Sequence, residues 1–258
     1  MNILLDPNAR PVVAHRGGAL HAPENTIEAM ALAISRGAEA IECDIRISSD
    51  GEVVVFHDPF VNRTTGKPGA VSRMTFAELR SLDASVRRTR PASWDASVKT
   101  PCRIPTLEEV LVRFPETPFI IEVKAPAASA AARRIIEKYR AENRCLVASF
   151  PHGALHPFRG SRIPIGATRR DIISFLRDVL ARRRPLAEFD AFFIPPDYHG
   201  VPMPMRILLA AAREAGKNTH IWTVNDATEA GRLWRLGALG MVTDDVPGML
   251  AARSAFPG

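Results

Sequence analysis

Residues 40–58, AIECDIRISSDGEVVVFHD, hold the densest set of groups that could do chemistry. Glu42 and Asp44 are two apart in a strand-like pattern, so their side chains project from one face. Asp50-Gly51 reads as a two-residue turn, because glycine accepts a positive φ. Val53-Val54-Val55-Phe56 then returns antiparallel. With Asp50 and Gly51 as the loop, Asp44 falls opposite His57, on a shared face. Two carboxylates so close raise each other's pKa, and a divalent cation would keep both ionised. A hairpin with its charges in solvent would show the same residues, and this stretch alone does not decide between the two.

Other polar residues fall where apolar runs end. His15-Arg16 follows Val12-Val13-Ala14, Glu122 and Lys124 close Phe119–Val123, Trp222 and Asn225 close His220–Val224, and Asp244-Asp245 follows Met241–Thr243. Each has an ordinary structural explanation: a hydrogen-bonded histidine, a Glu–Lys pair, a core tryptophan. Together they place three carboxylates, two imidazoles and two cations at one end of the strands. Carboxylates with open coordination positions suit Mg²⁺ or Ca²⁺ rather than zinc. Arg16 and Lys124 supply charge for a phosphate. The imidazoles of His15 and His57 could serve as acid and base on its two sides.

The elements that must position these groups alternate. Strands are expected near Val13 and Ile41, then at 119–123, 145–150, 163–167, 189–194, 220–224 and 241–243. Helices are expected between them, the first opening at Pro23 and running to about Arg36. Eight such units in 258 residues fit a (β/α)8 TIM barrel with a β-hairpin after strand 2. An open doubly wound sheet is the other arrangement that takes eight strands. Residues 59–105 lack strong periodicity and read as a small insertion or lid. Within it 64–69 is a loop and Thr75 caps a short helical turn. The expectation is one catalytic domain over 1–258.

Composition narrows the function classes. Hydrophobic residues make up 46% and charged residues 24%, an ordinary globular profile. The net charge of +6 comes from scattered arginines, among them Arg87, Arg88, Arg90 and Arg182–Arg184. That suits an anionic small-molecule substrate, and without interleaved aromatics it does not argue for nucleic acid. Cys43, Cys102 and Cys145 show no metal-binding spacing. No apolar run reaches membrane-spanning length and no leader pattern opens the chain, so a cytoplasmic protein without stable membrane insertion is expected. The sequence is silent on oligomeric state.

The motifs match a known family in order: His15-Arg16-Gly17, Pro23-Glu24-Asn25-Thr26, Glu42-x-Asp44, Asp50-Gly51, His57-Asp58, Ile104-Pro105-Thr106-Leu107-Glu108-Glu109, Glu122-x-Lys124 and Trp222-Thr223-Val224-Asn225. Over residues 12 to about 247 the chain resembles glycerophosphodiester phosphodiesterases of the short bacterial type. The resemblance implies a TIM barrel with an insertion after the hairpin. It implies a divalent metal, Mg²⁺ or Ca²⁺, held by Glu42, Asp44 and Glu122, with His15 and His57 as the acid/base pair. Arg16 and Lys124 would contact the phosphate, Glu24 and Asn25 would support the site, and Trp222 would wall the glycerol. The family route has the glycerol 2-hydroxyl attack phosphorus, leaving a cyclic phosphate that water opens to glycerol 3-phosphate.

Residues 151–215 carry few of the family's polar residues, and Arg169, Arg170 and His199 have no assigned role. The alternative is a related phospholipase, of lysophospholipase D or phosphoinositide phospholipase kind, acting on lipid phosphodiesters. It would need an apolar surface that the insertion, with Val71, Met74, Phe76, Leu79 and Trp94 scattered through it, does not supply. A non-catalytic phosphate-binding barrel is the third reading, and the full set of acids, histidines and lysine argues against it.

Overall fold

The computed structural model describes residues 2–86, 93–151, 153–198 and 200–256. Arg87, Arg88, Arg90 and His199 lie outside the described residues. The strands are β1 (Val12–Ala14), β2 (Ala40–Ile47), β3 (Val53–Val55), β4 (Phe119–Val123), β5 (Cys145–Ala148), β6 (Ala191–Ile194), β7 (Asp197–Tyr198), β8 (Val201–Pro202), β9 (Asn218–Ile221) and β10 (Gly240–Thr243). Seven of them pair in parallel in the order β5-β4-β2-β1-β10-β9-β6. The segment 163–167 joins the two ends through bridges Val147–Ile165 and Gly166–Ala191. It was expected as a regular strand, but the Asp190 carboxylate accepts the Ile165 N–H at 2.8 Å, so a side chain replaces part of the ladder. The result is the expected TIM barrel rather than an open sheet.

Period-two alternation sorts the strand residues. Ile41, Cys43 and Ile45 face outward and pack with the helices. Val13, Ala40, Ile120, Leu146, Phe193 and Val242 fill the barrel, with Leu4 from a turn at Ile3–Leu5 plugging its floor. Glu42, Asp44 and Glu122 share the inward parity, one or two layers above, at the C-terminal mouth. In the floor, Asn218 Nδ2 and His220 Nε2 both donate to the Leu4 carbonyl, at 3.2 and 2.8 Å. The His220 ring lies directly over Gly240, where a Cβ would come within 2.2 Å of Nδ1.

The outer helices are α1 (Ile27–Ser35), then, in the insertion, α2 (Asn62–Thr65) and α3 (Phe76–Ser81), then α4 (Leu107–Arg113), α5 (Ser129–Lys138), α6 (Arg169–Leu180), α7 (Met205–Glu214), α8 (Ala227–Arg235) and α9 (Val246–Ser254). Thr75–Glu78, Thr106–Glu109 and Thr168–Asp171 form capping boxes on α3, α4 and α6. Among the described residues no helix is long and apolar enough to cross a membrane.

Three expectations change. The first helix does not open at Pro23. Thr26 caps it, and Asn25, at φ 59°, stands in the loop before it. The expected loop at 64–69 loses its first two residues to α2, which spans Asn62–Thr65, and the insertion has its own core of Val61, Val71, Leu79, Ala84 and Ile104 packed on Val54 and Phe56. The hairpin register also differs by one. Ile45 pairs with Val55, and the Phe56 N–H donates to the Asp44 carbonyl at 2.8 Å, so Phe56 and not His57 lies opposite Asp44. The turn holds three residues, Ser49 to Gly51, with Gly51 at φ 91°. The cause is Asp50, whose carboxylate accepts from Ser48 Oγ at 2.5 Å and from the Phe76 N–H at 2.9 Å.

Candidate active site

β1 ends at Ala14, and the chain turns at once through His15–Gly17. Arg16 takes φ 52° and Gly17 φ 83°. Gly17 is needed here, since a Cβ would meet Ala29 and the Met30 nitrogen of α1 at 3.0 Å. This turn aims the Arg16 N–H at Glu42 Oε2, 3.0 Å away. It also sets the guanidinium between two acids, with Nη1 2.8 Å from Glu24 Oε1 and Nε 3.3 Å from Asp44 Oδ2. Asn25, in its left-handed conformation, brackets Asp44: Nδ2 donates to Oδ2 at 2.9 Å and Oδ1 accepts the Asp44 N–H at 3.2 Å.

Ligand oxygens of Glu42, Asp44 and Glu122 lie within 4.8 Å of one another, and all three residues are buried. The β2–β4 register, with Asp44 beside Glu122, makes this convergence. Burial and the neighbouring Asp44 push Glu42 up to about 8. Burial also raises Glu122, against the pull of Lys124. Burial works the other way on Asp44 from its cations, and Lys124 and Arg16 win, holding it below the usual carboxylate range. Lys124 Nζ lies 2.8 Å from Glu122 Oε1 and 3.2 Å from Asp44 Oδ1. Asp44 Oδ1 is buried and accepts no aligned hydrogen bond. A buried cluster in which burial and mutual repulsion raise two of the three acids, Glu42 and Glu122, fits a hard divalent cation that would relieve that repulsion.

Two imidazoles flank the cluster, each braced the same way. The His15 Nδ1–H donates to Asp244 Oδ1 at 2.8 Å, leaving Nε2 4.0 Å from Glu42. The His57 Nδ1–H donates to Asp58 Oδ1 at 2.6 Å. In each ring the carboxylate fixes the tautomer and leaves Nε2 for proton transfer. The ladder does not place His57, because β3 ends at Val55. Instead the Arg46 Nε–H donates to the His57 carbonyl at 2.7 Å, and the charge of Asp44 acts on the ring. Burial opposes the imidazolium in both. In His15 the Asp244 hydrogen bond and Glu42 overcome it and the pKa rises. In His57 burial, with Arg16 and Lys124, prevails and the pKa falls.

Of four orienting residues, Asp58, Asn225 and Asp244 stood in the sequence as motif or strand-end residues without an assigned role, and Arg63 escaped it. Asp244 and Asp58 brace the histidines. Asn225 Nδ2 donates to Asp244 Oδ2 at 2.9 Å, and its Oδ1 accepts the Asp244 N–H at 2.8 Å. Arg63, from α2, spans Asp58 at 2.6 Å and both oxygens of Glu24 at 2.6 and 2.7 Å. Burial raises Glu24, but the Arg63 hydrogen bonds and Arg16 outweigh it and hold the acid down at about 2. The insertion therefore supports the site rather than only covering it. Trp222 sits at the rim of the barrel filling, its ring 5.4 Å from that of Phe150. A separate basic cavity of about 590 Å³, with Arg182, Arg183, Arg184 and Lys217, opens at the opposite barrel end and includes none of these groups.

Residues 15–247 match the glycerophosphoryl diester phosphodiesterase family. A glycerophosphodiester phosphodiesterase of Caldanaerobacter subterraneus subsp. tengcongensis is 29% identical over 243 residues, covering 91% of this chain and 93% of the relative. A solved glycerophosphodiester phosphodiesterase from Thermotoga maritima superimposes with a TM-score of 0.71 at 27% identity, over 93% of this chain and 96% of that one. An Oleispira antarctica phosphodiesterase, solved with the product sn-glycerol-3-phosphate, gives a TM-score of 0.79 at 23% identity over 96% and 98%.

Proposed function

The chain belongs to the glycerophosphoryl diester phosphodiesterase family of enzymes, and we propose that it hydrolyses glycerophosphodiesters to glycerol 3-phosphate and an alcohol in a metal-dependent reaction. The observation that carries this reading is the meeting of three buried carboxylates with two carboxylate-braced imidazoles at one barrel mouth. Glu42, Asp44 and Glu122 would hold Mg²⁺ or Ca²⁺. When bound, the cation would neutralise the acids and polarise a phosphoryl oxygen.

The residues of the chain do the rest. Arg16 and Lys124, already fixed by their carboxylate partners, neutralise the phosphate oxygens. One imidazole takes the proton of the glycerol 2-hydroxyl as that oxygen attacks phosphorus. The other gives its proton to the head-group oxygen as the bond from phosphorus to that oxygen breaks. The cyclic phosphate so formed is opened by water with the two imidazoles in exchanged roles. The opposed shifts of His15 and His57 supply one ring of each kind. Glu24 and Asn25 hold Arg16 and Asp44 in place, and Trp222 walls the glycerol. The three cysteines are free and buried, which fits a reducing cytoplasm. The near-complete family match supports one catalytic domain.

The test is release of glycerol 3-phosphate from glycerophosphocholine, -ethanolamine, -glycerol and -inositol by purified wild type, His15→Ala and His57→Ala. Both variants should keep their circular dichroism and lose at least about 10²-fold in kcat. Near-normal turnover in either would remove that imidazole from the reaction.

A further inference from the structure

We infer that the barrel end opposite the mouth docks on an anionic lipid surface, through the arginine turn after α6 and two leucines beside it. The site is the basic cavity of about 590 Å³ between the ends of α6 and α7. Arg182, Arg183, Arg184 and Lys217 line it, against one lining acid, Glu214. The two helix ends are built alike. After α6 the Arg182 N–H donates to the Val179 carbonyl at 3.0 Å and the Arg183 N–H to the Asp178 carbonyl at 2.8 Å. After α7 the Gly216 N–H donates to the Arg213 carbonyl at 3.0 Å and the Lys217 N–H to the Ala212 carbonyl at 2.8 Å. Each turn closes the last carbonyls of its helix, so the cations leave from fixed backbone.

Three observations select a lipid surface. The first is charge left over. Among the described residues no carboxylate pairs with Arg182 or Arg184, and Arg183 reaches only Asp178, at 3.8 Å. Lys217 is held by a carbonyl, that of Phe189, and keeps its charge uncompensated. Guanidinium groups so placed suit phosphate oxygens. The second is apolar exposure at the same place. Leu180 is 67% exposed, and Leu186, at 85%, is the most exposed large apolar side chain among the described residues. The two flank the three arginines in the chain. A bilayer interface takes both kinds of group, the cations at its head groups and the leucines at its acyl boundary. Nucleic acid offers the leucines nothing, and the cavity lining has no aromatic ring to stack a base. A second copy related by a twofold axis through this turn would set the arginines against themselves. The third is position. The two turns precede β6 and β9 at the barrel floor, so docking there leaves the mouth open to solvent. The contact is peripheral and needs no membrane-crossing helix.

The test is co-sedimentation of the purified protein with vesicles of dioleoylphosphatidylglycerol or of dioleoylphosphatidylcholine. At about 0.1 M salt wild type should bind the anionic vesicles at least about tenfold more tightly, and most of that gain should vanish at about 0.5 M. Each arginine at an anionic surface is worth roughly fivefold in binding, so Arg182→Asn/Arg184→Gln should weaken it at least about tenfold. Asparagine tolerates the φ of 55° at position 182, which keeps the turn. Leu180→Gln/Leu186→Gln should weaken binding at least about fivefold through the apolar area withdrawn. Both variants should keep the wild-type circular dichroism and thermal midpoint. Lys67→Gln/Arg134→Gln removes the same charge from exposed positions elsewhere and should bind as wild type does. Equal binding to the two kinds of vesicle, or an equal loss on changing Lys67 and Arg134, overturns the site. Wild-type binding by the leucine variant overturns the lipid surface in favour of a polyanion such as nucleic acid. Release from the vesicles by millimolar glycerol 3-phosphate also overturns it, since a pocket for a small anion would then be holding the head group.

Discussion

Asp244 and Asp58 show how far single residues set the chemistry. Each takes the Nδ1–H of one imidazole, so each fixes the tautomer of a ring proposed above to carry a proton. Asp244→Asn would keep the shape but could offer its amide N–H to Nδ1, favouring the wrong tautomer. We expect kcat to fall about 10²- to 10⁴-fold with KM changed by less than about threefold, checked by steady-state kinetics on glycerophosphocholine. Activity within threefold of wild type would show that the His15 orientation does not depend on this contact. The acids and histidines of the site were legible in the sequence because they lie in short motifs with strand spacing. Asp244 was visible only as a strand-end acid, since its partner His15 is 229 positions away and only barrel closure joins them. Arg63 gave no signal at all: it is one arginine in an aperiodic stretch, and its role arises from the packing of α2 over the first loop.

At the scale of elements, the β9–β10 floor makes a prediction separate from catalysis. Burial drives His220 down to about 4, against the hydrogen bond to Leu4 that favours the charged ring. Its folded pKa is below the unfolded value, so the unfolded chain protonates first. The contribution is complete above about pH 6.5 and is lost as pH falls toward 4, amounting to roughly 3 kcal/mol at most. Urea midpoints at pH 7.5 and 4.5 should therefore fall more steeply for wild type than for His220→Gln, and equal slopes would refute the assignment. Elements were legible where periodicity was long, as in α6 or β4, with caps such as Thr106 readable from spacing alone. The hairpin register was not, because it turns on a tertiary contact. The Phe76 N–H holds Asp50 and adds a residue to the turn. His57 still reaches the site because the chain leaves the ladder after Val55, which no alternation rule describes.

The whole molecule is a barrel whose two ends do different work. The floor is closed by Leu4, with Asn218 and His220 bonded to its carbonyl, and the mouth concentrates charge that its own cations only partly balance. Eight β/α units were countable in the sequence, and closure into a ring follows from the first and last strands pairing. The character of the second half was not countable, since its apolar groove of about 340 Å³, lined from three stretches around 150, 169–173 and 194–203, leaves no local motif. The central claim is that the carboxylates of Glu42, Asp44 and Glu122 work as a cation site. Its most direct test is glycerol 3-phosphate release from glycerophosphocholine by chelator-stripped protein, with Mg²⁺ or Ca²⁺ then added back. We expect no turnover after stripping, recovery with one of the two cations, and at least about tenfold more cation needed by Glu42→Gln and Glu122→Gln. Undiminished turnover in the presence of chelator would contradict the account.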